Sequence, residues 1–260
     1  FRRLGMQVNL APVADINNNP ENPVINYRSF GEDKDNVASK TIMYMKGLQD
    51  NGVLATLKHF PGHGDTDVDS HEDLPKISHS RERLENTELY PFKRLINEGS
   101  GAVMTAHLSL PSLDTTSALP STLSPVIIKG LLQDKLGFRG IVITDAMNMK
   151  GVTKYFRPGE ADARALQAGN DVVEFVVLVE AAINETKNFI SAKKIKPEEI
   201  SAKCRKILAM KYWSGLAEKK IIKTENIENE LSPSVSKALI RRSEERRVGK
   251  ACRSRVSPHQ

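Results

Sequence analysis

The 260-residue chain holds only two cysteines, Cys204 and Cys252, which excludes a disulfide framework. It has no run of about eighteen consecutive apolar residues, so no segment reads as a membrane span. The opening residues, Phe1-Arg2-Arg3-Leu4-Gly5-Met6, form no secretory hydrophobic region and carry no initiator methionine at position 1. They enter what looks like the end of a helix, so the chain is expected to be an internal fragment whose compartment and oligomeric state are left open. Internal repeats and low-complexity tracts are missing as well. What is present, 39% hydrophobic and 27% charged residues, suits one large α/β domain.

A formal charge of +6 would suggest a nucleic acid or acidic membrane partner if it were spread over the surface. It is local instead. Residues 241–260 hold seven Lys or Arg against two Glu, which leaves 31 basic and 30 acidic residues in the other 240. That body is nearly neutral, and no nucleic-acid partner is expected. The segment 241–260 shows no apolar periodicity and reads as a non-native tail, similar to a translated cloning adapter. Residues 217–240, charged and weakly patterned, read as a linker.

Short apolar runs at residues 8–13, 53–57, 102–108, 141–144 and 172–179 read as buried strands, bounded by glycine or polar loops. Amphipathic stretches lie between them. Val37, Ile42, Met45 and Leu48 share a helical face before Gly52, and Ser124-Pro125 supplies the cap and first-turn proline of a helix that Gly137 closes. After Gly169 the pattern turns helical over 180–192 and 197–216, where Ile200, Cys204, Ile207 and Leu208 fall on one face. Alternating strands and helices suit parallel strands with crossover helices, either a (β/α)8 barrel or a doubly wound sheet. Five such units are visible, and a barrel has eight.

The densest chemistry is Lys58-His59-Phe60-Pro61-Gly62-His63-Gly64-Asp65-Thr66-Asp67-Val68-Asp69-Ser70-His71, which puts three His and three Asp on one loop. A metal site is the first possibility to test. Pro61 and Gly62 preclude a helical histidine pair, and the aspartate run lacks the glycine and final glutamate of an EF-hand loop, having Ser70 and Lys76 there. No metal is therefore expected on this loop. Asp69 and His71, two positions apart, can instead form a proton-transfer pair in which the carboxylate orients the imidazole. A histidine that merely caps the loop fits equally well. Asp145 ends the apolar run 141–144, where a barrel presents catalytic groups or where a helix cap would stand. Asp15, Lys58, His59 and His107 follow other strand candidates, so several strand ends converge on one rim.

Five ordered motifs carry a resemblance: NLAPVAD at 9–15, NYRSFG at 26–31, the 58–71 loop, VMTAH at 103–107 and VITDAMNM at 142–149. Together they resemble the β-N-acetylglucosaminidase branch of glycoside hydrolase family 3, over residues from about 4 to 240. The resemblance implies an α/β fold, a (β/α)8 barrel truncated at its N-terminus and occupying residues 1–216. It implies Asp145 as nucleophile and His71 as general acid/base backed by Asp69. Lys58, His59, Arg28, Asp15 and His107 would hold the carbohydrate substrate, without cofactor or metal. The implied reaction releases terminal β-linked N-acetylglucosamine from muropeptides or related glycans through a glycosyl-aspartate intermediate.

A histidine acid/base departs from the usual carboxylate pair, and because neutral imidazole does not repel an anionic acceptor, phosphate could replace water. The chain departs from the pattern at residues 175–179, where a proline-containing loop is expected, and it lacks the earlier strands. The rivals are a family 3 β-glucosidase or xylosidase and a non-catalytic glycan-binding fragment.

Overall fold

The computed structural model describes the backbone of residues 1–218 and 221–254 and side chains through Glu245. It divides into two compact units, residues 6–218 and residues 1–5 with 219 onward, each described by itself.

The larger unit is built on four parallel strands in chain order: β1 (Val8–Asn9), β2 (Leu54–Phe60), β3 (Ala102–Thr105) and β4 (Ile141–Thr144). Parallel bridges Val13↔Lys58 and Ile143↔Val172 extend the ladder at either side. With Val172 counted, five strand positions stand in the sequential order of an α/β barrel. Every residue of β3 and β4 is buried, because the sheet is covered on both faces, and such strands read as continuous apolar runs rather than alternating ones.

Four strand expectations change in extent, one of them by lengthening from 53–57 to Leu54–Phe60. The 8–13 run is interrupted after Asn9, since Pro12 has no N–H to donate; the ladder continues through the Ala11 and Pro12 carbonyls, which accept from Thr56 and Lys58 N–H. The 102–108 run is strand only to Thr105. The 172–179 run contributes the single bridge residue Val172, because Phe175 turns in the left-handed region (φ 49°) and a helix begins at Val179.

Helices α1 (Lys34–Gln49), α2 (Arg81–Asn86) and α3 (Tyr90–Asn97) precede β3. A π-helix (Val126–Lys135) follows it, then α4 (Lys150–Thr153), α5 (Glu160–Ala168), α6 (Val179–Ser191) and α7 (Pro197–Trp213). The Asp33 side chain caps α1 by accepting from Asn36 N–H at 2.8 Å, and the expected face of Val37, Ile42 and Met45 is buried. The Ser124 hydroxyl accepts from Ile127 N–H and Gly137 closes the segment at φ 69°, as its sequence suggests, although the winding between them is π rather than α. The main core lies between sheet and helices around Leu57, Val103, Ile128, Leu132 and Val142, with Phe60 and Phe92 edge to face at 5.5 Å. On the other sheet face Leu10, Leu54, Ile141, Ile143 and Met210 border an apolar cavity of about 520 Å³.

The inner face of α7 differs from expectation. Ile200 and Ile207 face inward as expected, but Cys204 and Leu208 are exposed, and Lys203 and Lys206 take inward positions beside them. Lys203 Nζ donates to the Asn170 carbonyl at 2.7 Å, and Lys206 Nζ donates to Asp171 Oδ2 at 2.9 Å and to the Gly140 carbonyl at 3.0 Å. Their aliphatic stems cover the sheet edge while the ammonium groups satisfy polar atoms at the strand end. In the smaller unit, the expected linker and tail are helical over α8 (Ile227–Leu231) and α9 (Ser234–Ser254), where Ala, Leu, Lys, Arg and Glu favour helix even without an apolar stripe. Residues 255–260 of that tail lie outside the described residues. Among the described residues no helix is long and apolar enough to cross a membrane.

Burial lowers the Lys203 ammonium from the ordinary lysine value to about 8, against the pull of Asp171. Between about pH 8 and 10.5 the unfolded chain keeps a proton that the fold releases, so this residue's contribution to stability rises with pH by about 3 kcal/mol. The unfolding free energy of wild type relative to Lys203→Met should shift in the wild type's favour by that amount between pH 7 and 10.5. A difference that stays flat would mean that the amine does not titrate in the fold.

Candidate active site

The C-terminal strand ends surround a cavity of about 170 Å³ bordered by Arg28, Lys58, His59, His63, Ser70, His71, Asp145 and Glu174. Asp145 follows β4 directly. Its N–H donates to the Thr105 carbonyl and its Oδ1 accepts from Ala146 N–H, both at 2.9 Å, so the carboxylate stands on the frame of the sheet. Burial opposes its ionisation, but the His59 and His107 rings, the Ala146 N–H and Lys58 together hold its carboxyl below the usual aspartate value. Burial and the neighbouring Arg28 in turn lower the Lys58 ammonium, while Asp145 works the other way.

The end of β2 and the loop after it are fastened from below. Asp15, fully buried, accepts from His63 N–H at 2.8 Å and His59 N–H at 3.1 Å, and its Oδ2 lies 2.7 Å from His59 Nδ1. Burial pushes its carboxyl up, and the His59 and His63 contacts more than reverse this. The opposite edge of the His59 ring meets Arg28, with Nη2 3.3 Å from Nε2. His63 is buried between the hydroxyls of Thr66 and Ser70, and burial together with His59 lowers it to about 4, which leaves it neutral near pH 7. Gly64 passes so close to the strand exit that a Cβ there would lie 1.7 Å from the Ile16 carbonyl oxygen.

Beyond this anchor the chain rises to His71, whose side chain is 62% exposed. Asp69 Oδ1 accepts from His71 N–H at 2.8 Å and lies 2.7 Å from Nδ1, which leaves Nε2 as the atom free to exchange a proton. Burial disfavours the Asp69 carboxylate, yet those two bonds to His71 hold its carboxyl below the usual value. An ionised carboxylate on a rigid strand end and an oriented imidazole on a loop thus border one cavity, the two groups that displacement at an acetal carbon requires.

The family model described as the glycosyl hydrolase family 3 N terminal domain matches residues 1–210. The chain belongs to glycosyl hydrolase family 3. It is 35% identical over 227 residues to beta-hexosaminidase A of Pseudoalteromonas piscicida, covering 80% of this chain and 38% of that protein. It superposes with a TM-score of 0.82 and 40% identity on a family 3 beta-N-acetylglucosaminidase from a Paenibacillus species, over 86% of this chain and 43% of that one. A beta-glucoside phosphorylase, BglX, superposes equally well (TM-score 0.82) at 27% identity, over 87% of this chain and 42% of its own. The chain spans between 38% and 50% of the length of the curated relatives it matches.

Within this family 3 domain Asp145, His71, Lys58, His59 and Arg28 border the cavity, and Asp69 reaches it through His71. Two expected sugar-holding residues stand elsewhere. Asp15 has its carboxylate taken up by His59 and His63, and so positions them rather than facing a ligand. His107 is fully buried behind Asp145, with Nδ1 2.9 Å from the Thr122 hydroxyl and Nε2 3.1 Å from the Ala146 carbonyl, so both ring nitrogens are engaged by protein atoms. His63, Ser70 and Glu174 were not expected at the site. His63 was visible only as one more histidine on the loop, and Glu174 as a charge inside an apolar run. The Glu174 N–H is held by the Thr144 hydroxyl at 2.9 Å, and burial and then the Asp145 charge push its carboxyl up.

Because the contact at Gly64 is with backbone that cannot swing aside, Gly64→Ala should lower stability by the order of 3 kcal/mol and displace the loop. Thermal unfolding within a degree or two of wild type would show that the strand exit tolerates the methyl group.

Proposed function

We propose that this barrel, in the whole protein, releases terminal β-linked N-acetylglucosamine from muropeptides or related glycans with retention of configuration. Asp145 attacks the anomeric carbon as the glycosidic bond breaks, and His71 gives its Nε2 proton to the departing oxygen. A glycosyl-aspartate forms. Water then attacks the anomeric carbon, His71 takes its proton, and Asp145 leaves as carboxylate. Lys58, His59 and Arg28 are placed to donate to sugar oxygens, with Lys58 also favouring the ionised nucleophile. The observation that carries this reading is the shared cavity of an ionised Asp145 and an Asp69-oriented His71; the relatives named beta-hexosaminidase and beta-N-acetylglucosaminidase support the sugar.

A second acceptor has its own support. The proton-transfer group is an imidazole, the cavity carries Lys58 and Arg28, and one structural relative is named a phosphorylase, so phosphate in place of water is a coherent variant of the same displacement. Comparing free sugar with sugar 1-phosphate among the products, in buffers with and without phosphate, separates the two.

In the full-length protein Asp145→Ala should abolish turnover, by roughly 10⁴-fold or more. His71→Ala should reduce turnover by about 10²–10⁴-fold on substrates with poor leaving groups and far less on activated aryl glycosides. Equal losses on both substrate types would remove His71 as the acid. Faster turnover of an aryl glucoside than of an aryl N-acetylglucosaminide would instead assign the domain to the glucosidase side of the family.

A further inference from the structure

A second cluster of ligating side chains stands outside the cavity, assembled from three places in the chain. Asp65 lies early on the loop that leads to His71, His79 lies just before α2, and Glu88 lies between α2 and α3. One ligand atom from each falls within 4.8 Å of the others. Asp65 Oδ2 is 2.7 Å from His79 Nε2. Glu88 is 3% exposed; its Oε1 accepts from Asn18 Nδ2 at 3.1 Å and from Arg83 Nη2 at 3.3 Å, while its Oε2 is buried with no hydrogen-bond partner.

Arg83 pairs with both carboxylates of the cluster, but through one nitrogen only. A single nitrogen, Nη2, reaches toward both carboxylates, at 3.3 Å from Glu88 and 3.6 Å from Asp65, in place of the two-pronged fork that makes guanidinium–carboxylate pairs strong. Its Nε is buried without a partner. The unpartnered Glu88 oxygen is a buried acceptor of the kind a cation would satisfy. The Arg83 side chain is 41% exposed and has a path into solvent, whereas Glu88 has none.

We propose that Asp65, His79 and Glu88 form a zinc site that closes the base of the 65–79 segment. One imidazole nitrogen and two carboxylate oxygens suit Zn²⁺ with water in the fourth position, while Mg²⁺ and Ca²⁺ favour sites made of oxygen alone. Bonds of about 2.0–2.2 Å set neighbouring ligand atoms about 3.3 Å apart, so Asp65 and His79 separate slightly and Glu88 turns Oε2 toward the ion. Arg83 leaves, its charge replaced by that of the metal. The segment so closed carries Asp69 and His71, and the ion ties its two ends together. None of the three ligands borders the Asp145 cavity, so this site neither depends on the proposed reaction nor takes part in it.

The test is calorimetric titration of the metal-stripped full chain with ZnCl₂, with MgCl₂ and CaCl₂ as parallel arms. It is repeated on His79→Ala, Asp65→Asn and Arg83→Gln, each checked for a native circular dichroism spectrum. Zinc should bind saturably at one ion per chain, at least tenfold more weakly in His79→Ala and Asp65→Asn. Binding should be severalfold tighter in Arg83→Gln, because a competing cation has been removed. Zinc should also slow limited proteolysis within residues 65–79 of the wild type and not of His79→Ala.

Zinc binding that is absent, that His79→Ala leaves unchanged, or that Arg83→Gln weakens would overturn the proposal and leave an ordinary ion-pair network. Preference for Mg²⁺ or Ca²⁺ over Zn²⁺ would overturn the assignment of the ion. His79 lies on a partly exposed loop, so its variant decides the matter even if Asp65→Asn fails to fold.

Discussion

The site hangs on one buried carboxylate. Asp15 enters the interior beyond β1, and its carboxylate is satisfied there by the end of β2 and the loop that follows, through the His59 and His63 N–H groups and the His59 imidazole. An unpaired carboxylate in that position would be very unfavourable, so the loop has essentially one way to leave the strand. His59 is thereby aimed at Arg28 and the cavity, His63 is pinned beneath Ser70, and the chain is delivered to Asp69 and His71 from a fixed origin. Gly64 is the steric counterpart, because only a residue without a side chain can pass the Ile16 carbonyl at that distance.

The two groups that would carry the reaction are treated oppositely by the fold. Asp145 is tied to the sheet, its amide donating to the Thr105 carbonyl and its carboxylate kept ionised by surrounding rings and an ammonium group in spite of burial. His71 is exposed and held by a single residue, Asp69. In the proposed reaction the charge would be held on the frame of the sheet, and the proton would move on the exposed loop. Glu174 adds a second carboxyl to the cavity, and burial and the Asp145 charge push it up from the usual glutamate value.

Most of this was legible along the chain for identifiable reasons. Buried parallel strands betray themselves as apolar runs, and strand-end positions marked Asp145, Lys58 and His59. The Asp69–His71 pair could be read because it is local, its partners two residues apart. What escaped depends on contacts between distant residues. Nothing near Asp15 or His107 in sequence says that their polar atoms are consumed by His59 and His63, or by Thr122 and Ala146. The turn at Phe175 hid in a run of strand-forming residues because a left-handed conformation at phenylalanine has no sequence signature. On α7 the apolar spacing placed Ile200 and Ile207 inward correctly but Cys204 and Leu208 wrongly, since lysine stems can cover a sheet edge as well as leucine can when carbonyls and a carboxylate wait for the ammonium group.

That last arrangement makes Lys203 a built-in chemical reporter. With its ammonium lowered to about 8, a substantial share of its amine carries a free electron pair in mildly alkaline solution, where surface lysines are almost wholly protonated. The nitrogen is nonetheless shielded under α7 and bonded to the Asn170 carbonyl. Acylating reagents reach it only when α7 lifts from the sheet edge. The rate at which this one lysine is labelled, compared with its exposed neighbours, therefore clocks the opening of the helix that covers that edge.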